Sequence, residues 1–253
     1  MVQTVRRIAL WGCIVMNERS SQVAAARRIP VIGVVGGIGS GKSSVAREVA
    51  ALANVYVLDA DRLGHDALLD EGVKVALRRQ FGDGIFDAAG EVQRGSVARC
   101  VFGDSESHRI ARHALEQIVH PEIERRIAGE IARAEAAGQA AVLLDAAVLI
   151  EAGWRRLCDA VVFIDAPEDL RLKRVQQRSG WSLEELHRRE ASQLGLPEKR
   201  RQCDAVISNA TDVRESGQQF LIFLRGHWSI GCKPPAESSQ QLPTTSEFLP
   251  PRS

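Results

Sequence analysis

Residues 31–50 read VIGVVGGIGSGKSSVAREVA. The stretch opens as a Val/Ile run, turns through Gly36, Gly37, Gly39 and Gly41, and resumes at Val45 with a helical pattern. Gly36, four further residues and then Gly41-Lys42-Ser43 reproduce the spacing of a phosphate-binding loop between a strand and a helix. Glycines allow successive backbone N–H groups to turn inward as an anion nest. The N-terminus of the following helix adds partial positive charge. Lys42 is placed to reach the β- and γ-phosphates, and Ser43 to offer its hydroxyl to Mg²⁺. Gly36, Gly37, Gly39, Ser40, Gly41, Lys42, Ser43 and Ser44 are therefore the predicted nucleoside-triphosphate cradle. A plain glycine turn would account for neither the lysine nor the serine.

Outward from the loop, three more apolar runs lack clean alternation: VYVLD (55–59), AAVLLDAAVLI (140–150) and DAVVFID (159–165), with a weaker fifth, DAVIS, at 204–208. Such runs are expected of strands buried on both faces. Helical patterns lie between them: 45–53, 106–137 interrupted at His120-Pro121, and 168–193 broken at Ser179-Gly180. Alternating strands and helices predict an α/β fold, a mainly parallel five-stranded sheet between two helical layers.

The chain has 253 residues, 45% hydrophobic and 26% charged, which suits one globular domain with excess at the ends. Its 33 basic and 32 acidic side chains leave a net charge of +1, so bulk electrostatics argue for neither a nucleic-acid nor a membrane partner. Five cysteines (Cys13, Cys100, Cys158, Cys203, Cys232) show no paired spacing and read as reduced thiols of a cytoplasmic protein. Residues 1–29 weakly imitate a signal peptide, with Arg6-Arg7 before IALWGCIVM, but the run is too short to span a bilayer. They are read as an unstructured or mis-started extension, with Met16 an alternative start. From about Gly231 the chain is rich in Pro, Ser, Thr and Gln, as expected of a disordered tail.

Three further constellations carry candidate chemistry. VLDADRLGHD closes the second strand, where ligands of such sheets bind. Asp59 and Asp61, two residues apart, would face the same way in an extended segment, and one could orient or deprotonate an acceptor hydroxyl. The pair could equally cap a helix. Asp145, after the third apolar run, has the placement of a Mg²⁺-holding carboxylate, with Glu151 the next acid; either could be a cap or surface group. Arg171, Arg174 and Arg178 recur on one helical face before a glycine hinge, as a lid that neutralises a transferring phosphoryl group would require, or as a solvated basic face. His120 before Pro121 suits packing or capping.

In this order the strings GVVGGIGSGKSSVA, VLDADRLGHD, GEVQRGSVARCVF, LEQIVHPEI, LLDAAVLIEAGW, FIDAPEDLRLKRVQQRSGWS and RREASQLGLPEKRRQCDAVISN resemble the dephospho-CoA kinase family, from about Ile29 to Thr211. The resemblance implies a P-loop kinase that moves the γ-phosphate of ATP, with Mg²⁺, to the ribose 3′-hydroxyl of dephospho-CoA. It implies that Asp61 faces the acceptor hydroxyl and that His120, with Asp59 and Glu151, lies by the acceptor. It further implies that Arg178 and Arg174 of the lid meet ATP, and that Asn209 falls near the adenine. The expected catalytic set is Asp61, Lys42 and Arg178, with Ser43 and Asp145 for the metal. The kinase domain is expected over 30–228, its helical acceptor-binding region over about 62–137 and its lid over about 168–200, with 229–253 as the tail. A monomer or small homo-oligomer is expected.

The chain also departs from the family pattern. Ala147-Val148-Leu149-Ile150-Glu151 stands where PLLFE is usual, and the segment between Phe102 and Leu115 is a few residues longer. Rival readings are a kinase of another small alcohol, nucleoside or nucleotide, and a non-catalytic nucleotide-binding regulator. A guanine-specific switch is disfavoured, since no Asn-Lys-x-Asp string occurs.

Overall fold

The computed structural model describes residues 29–103 and 105–233. The expectations for residues 1–28, including Cys13 and Met16, and for 234–253 lie outside them.

Five strands form one parallel sheet: β1 (Val31–Gly36), β2 (Val55–Asp59), β3 (Ala141–Asp145), β4 (Ala160–Asp165) and β5 (Ala205–Ser208), in the order β2-β3-β1-β4-β5. The strand bearing the phosphate loop is thus central, flanked by β3 and β4. Alternate residues of each strand feed opposite faces, as the two-residue period of a strand dictates. On one face Val31 and Val35 pack with Val142, Leu144, Val161 and Phe163. That face is covered by α2 (Ala60–Ala67), through Leu63 and Ala67, and by α5 (Glu106–Ala136), through Ile123, Ile127 and Ile131. On the other face Ile32, Val34, Leu143, Val162 and Ile164 pack beneath α1 (Lys42–Leu52) and α9 (Val213–Trp228).

A separate apolar cluster joins α3 (Glu71–Phe81), a short 3₁₀ turn at 83–85 and α4 (Arg94–Val101) to the N-terminal half of α5. Its buried members are Val73, Leu77, Ile85, Val97 and Val101. Helix α5 therefore packs on this cluster with one half and on the sheet with the other. The lid segment folds as α6 (Glu168–Ser179) and α7 (Leu183–Glu190), separated at Gly180, whose φ of 68° is the left-handed cap that ends α6. Helix α8 (Leu196–Arg201) leads into β5.

Several sequence expectations need correction. The third apolar run is a strand only over 141–145; residues 146–150 turn away, because Leu149 caps the first core rather than extending the sheet. Helix α5 is not interrupted at Pro121 but runs through it. Proline removes one N–H, whose partner would be the carbonyl of exposed Gln117, while Val119 and Ile123 on either side are held in the cores. Asp61 does not extend β2: it lies in the first turn of α2, whose N-cap is Asp59 accepting from the Arg62 N–H at 3.0 Å. The ordered chain also continues past 228, with Ile230 buried and Cys232 bridged to Ala53.

Among the described residues, no helix is long and apolar enough to cross a membrane. Cys100, Cys158, Cys203 and Cys232 are free thiols. Cys203 is buried, and desolvation pushes its thiol up to about 12.

Candidate active site

The loop between β1 and α1 is shaped by its glycines. Gly39 has φ of 78°, and a side chain there would bring Cβ to 2.6 Å from the Arg171 carbonyl. Gly41 has φ of 87° and forms the N-terminus of α1, where no side chain supplies a cap. The first N–H groups of α1 are thereby left to an incoming anion. Gly36, Gly37 and Ser40 complete the turn, with Ser40 Nα bonded to the Gly37 carbonyl at 3.1 Å. Lys42 folds back over it, its Nζ 3.4 Å from each of the Gly36 and Gly37 carbonyls. Burial depresses the Lys42 pKa, opposed by the carboxylates of Asp145 and Asp61 and assisted by repulsion from Lys199 and Arg178. A crowded ammonium of this kind gains most when a polyanion enters.

The carboxyl ends of β2 and β3 bring the acids to the same edge. Asp59 and Asp145 are register partners across the β2–β3 pair, and Asp145 also pairs with Val34 of β1. Asp145 is 6% exposed and accepts a hydrogen bond from Ser43. Desolvation raises its pKa, with Asp59 and Asp61 adding repulsion, and the Ser43 bond and Lys42 opposing the rise. Asp61 is exposed on the surface, yet the surrounding protein thins its hydration and raises its pKa. Asp59 adds to the rise, and Lys42 and His65 oppose it. Lys42, Ser43, Asp59, Asp61 and Asp145 are thus one coupled group.

A cleft of about 690 Å³ opens from the loop toward α6 and the start of α9. Lys42, Ser43, Ser44, Arg174, Arg178 and Asn209 all line it. Two of these side chains turn out to support the loop itself. Arg174 donates to the carbonyls of Gly39, Ser40 and Asn209 at 3.3, 3.0 and 3.1 Å. Asn209, 2% exposed, donates from Nδ2 to the Ser40 carbonyl at 2.7 Å and accepts from Ser216 Oγ at 3.0 Å. Arg178 makes no such bond in the loop and faces the cleft near Lys42.

The partners of His120 and Glu151 lie outside the loop. The His120 ring meets Trp154 edge-on, centroids 5.4 Å apart, and burial lowers its pKa. The Trp154 Nε1 is buried and finds no hydrogen-bond partner among the described residues. Glu151 Oε1 is engaged by Lys199 Nζ at 2.8 Å and by the Leu194 N–H at 2.9 Å.

Two residues with structural charge of the site carried no assigned role in the sequence reading. Lys199 is fully buried, its Nζ also bonded to the Ala147 carbonyl at 2.9 Å and to Gln193 Oε1 at 3.2 Å. Its neighbours Glu198, Arg200 and Arg201 make an exposed-looking charged run that gives no local sign of burial. Glu190 pairs with buried Arg171, and the same Glu190 Oε1 accepts from the Ile38 N–H at 3.3 Å. Arg171 Nη1 in turn donates to the Ile38 carbonyl at 3.3 Å, so α6 and α7 grip the phosphate loop.

Comparison with known proteins agrees with this architecture. The family model for dephospho-CoA kinase matches residues 30–215. A dephospho-CoA kinase of Methylococcus capsulatus is 40% identical over 188 residues, covering 72% of this chain and 88% of the relative. That of Rhodopirellula baltica is 38% identical over 180 residues, covering 71% and 82%. The crystal structure of a Thermus thermophilus protein superimposes with a TM-score of 0.67 at 32% identity, over 79% of this chain and 99% of that one. The fold is shared too by a Campylobacter jejuni dephospho-CoA kinase, at a TM-score of 0.57 and 22% identity, over 79% of this chain and 97% of that one. The chain is a kinase with ATP as its co-substrate, and it belongs to the dephospho-CoA kinase family.

Proposed function

We propose that this chain transfers the γ-phosphoryl group of ATP to the 3′-hydroxyl of dephospho-CoA, in the cytoplasm where ATP is held. The observation that carries the reading is the convergence of Lys42, Asp61 and Asp145 at one sheet edge, beside an uncapped helix N-terminus. The loop amides and Lys42 hold the triphosphate, and Asp61 orients the acceptor hydroxyl. The 3′-oxygen bonds to the γ-phosphorus as its proton passes to the Asp61 carboxylate. The bond from that phosphorus to the β,γ-bridging oxygen breaks, and ADP leaves. Arg178 answers the charge on the moving group. In this reading residues 62–137 form the acceptor side and 168–200 the lid.

The donor set at the loop mouth fits Mg²⁺. Asp145 is a buried carboxylate bonded to the Ser43 hydroxyl, and Mg²⁺ takes few protein oxygens, keeping water and phosphate oxygens for the rest of its shell. Ser43 and Asp145 would hold the ion, directly or through water, and the ion would supply charge neutralisation across the β- and γ-phosphates.

Incubation of the purified protein with ATP, Mg²⁺ and either dephospho-CoA or a panel of nucleosides, followed by mass detection, tests the assignment. CoA is the expected product. Asp61→Asn is expected to lower turnover by about 10²–10⁴-fold with ATP binding kept. Absence of CoA, or a faster reaction with a plain nucleoside, would overturn the acceptor assignment.

A further inference from the structure

A second cleft, of about 330 Å³, lies away from the nucleotide loop, between the α4–α5 corner and the lid. Four arginines line it: Arg109 and Arg112 from the start of α5, and Arg188 and Arg189 from α7. Nothing in the phosphoryl-transfer chemistry above uses them. Their carboxylate partners are few. Arg109 pairs with Glu106, while Arg188 and Arg189 share Glu185 at 2.5 and 2.6 Å. Arg112 donates through Nε and Nη2 to the Val101 carbonyl at 3.3 and 3.2 Å, and among the described residues no carboxylate pairs with it. Two elements far apart in sequence thus carry surplus positive charge to one concave wall. A cleft lined by one sign of charge concentrates the field on an incoming ion of the other sign. Guanidinium forks match phosphate oxygens two at a time.

We propose that this cleft binds the 5′-diphosphate of the acceptor, a nucleoside diphosphate bearing a neutral arm, and so sets acceptor specificity. The inference rests on the acceptor assignment above. The acceptor must carry its diphosphate away from the reacting 3′-oxygen. Arg112 lies eight residues before His120 on the same helix, about 12 Å along its axis. Phe102, 61% exposed beneath the Arg112 guanidinium at 5.8 Å, offers an apolar surface where an amide-and-methyl arm leaves the diphosphate. One wall is the Phe102–Leu115 segment, in which this chain departs in length from its family's pattern. The other wall is lid, so an occupied cleft would tie lid closure to the presence of acceptor. The nucleotide side keeps its own arginines, Arg174 and Arg178, in the separate cleft.

The test is steady-state kinetics of Arg112→Gln and Arg188→Gln, singly and together, with dephospho-CoA and with adenosine, which offers the same 3′-hydroxyl without the diphosphate. The double variant is expected to raise KM for dephospho-CoA at least ten-fold. KM for ATP, kcat, and the slow rate on adenosine should stay within two-fold of wild type. Arg→Lys replacements, which keep charge and lose the fork, should recover part of the KM. Equal losses on both acceptors, a raised KM for ATP, or an unchanged KM for dephospho-CoA would overturn the assignment of the cleft while leaving the enzyme's reaction standing. If wild-type protein makes no CoA, the acceptor assignment falls and this inference falls with it.

Discussion

Asp61, the base of the proposed reaction, is a carboxylate whose neighbours shift the pH at which it ionises. A base must be ionised, and both thinned hydration and the charge of Asp59 hold its pKa above the ordinary 3.8. Activity in the free enzyme is therefore lost as pH falls through that raised pKa, so the acid limb of kcat/KM should begin above the usual aspartate range. Asp59→Asn tests the cause. Asparagine keeps the oxygen that caps α2, so the helix should persist, while one negative charge is removed. The acid limb should move to lower pH. A limb that stays in place would mean that Asp59 repulsion does not tune this base. Asp61 itself was legible from its string, which left both an extended segment and a helix cap open; the structure takes the cap. The capping bond from Asp59 competes with extension of the strand, and short sequence does not say which prevails.

At the scale of elements, α6 is fastened to the phosphate loop by Arg174 and by the buried Arg171–Glu190 pair. Arg171 of α6 is 4% exposed and is held by Glu190 at the end of α7, and both also bond to Ile38 of the loop. Helix α6 is too polar to be held by apolar burial alone, with only Val175 of its apolar residues fully covered. Glu190→Gln would leave the buried guanidinium with only the half-exposed Glu168, 3.8 Å away, as countercharge, and breaking a buried pair costs up to about 3–5 kcal/mol. A lower Tm and a higher KM for ATP are expected together, because the same side chain fixes the loop; thermal melts with and without ATP read both. A raised KM with unchanged Tm would put Glu190 in ligand contact instead. The periodic arginines of α6 read in the sequence as a lid or as a solvated basic face, and in the structure Arg171 and Arg174 bond to the loop's own carbonyls. Both roles present the same spacing, since a helical stripe specifies a face and not what lies opposite it.

At the scale of the molecule, the described residues form three apolar clusters, two against the sheet and one under α3 and α4. Helix α5 contributes to the first and the third, so the proposed acceptor side is joined to the sheet through one long helix. Leu77 is fully buried in the third cluster, away from the loop. Leu77→Ala should cost about 2–5 kcal/mol through the cavity it leaves. If the third cluster serves the acceptor side alone, KM for dephospho-CoA should rise while the affinity for ATP holds. Equal losses for both ligands would show that the clusters act as one unit.

The features determined by sequence alone were those carried by neighbouring residues: five strand-like runs, the glycine turn with its Lys42 and Ser43, the hinge at Gly180, and the family strings. Each depends on backbone freedom or side-chain period over a few positions, which a local pattern encodes. What tertiary structure decided was pairing across the chain. Asn209 anchors Ser40 from 169 positions away, and Arg171 reaches Ile38 across 133. Lys199 is buried against Glu151, α5 runs through Pro121, and four arginines from two helices meet at one cleft. In these cases the deciding energy is desolvation and charge pairing between segments, and it exists only once the sheet has brought those segments together.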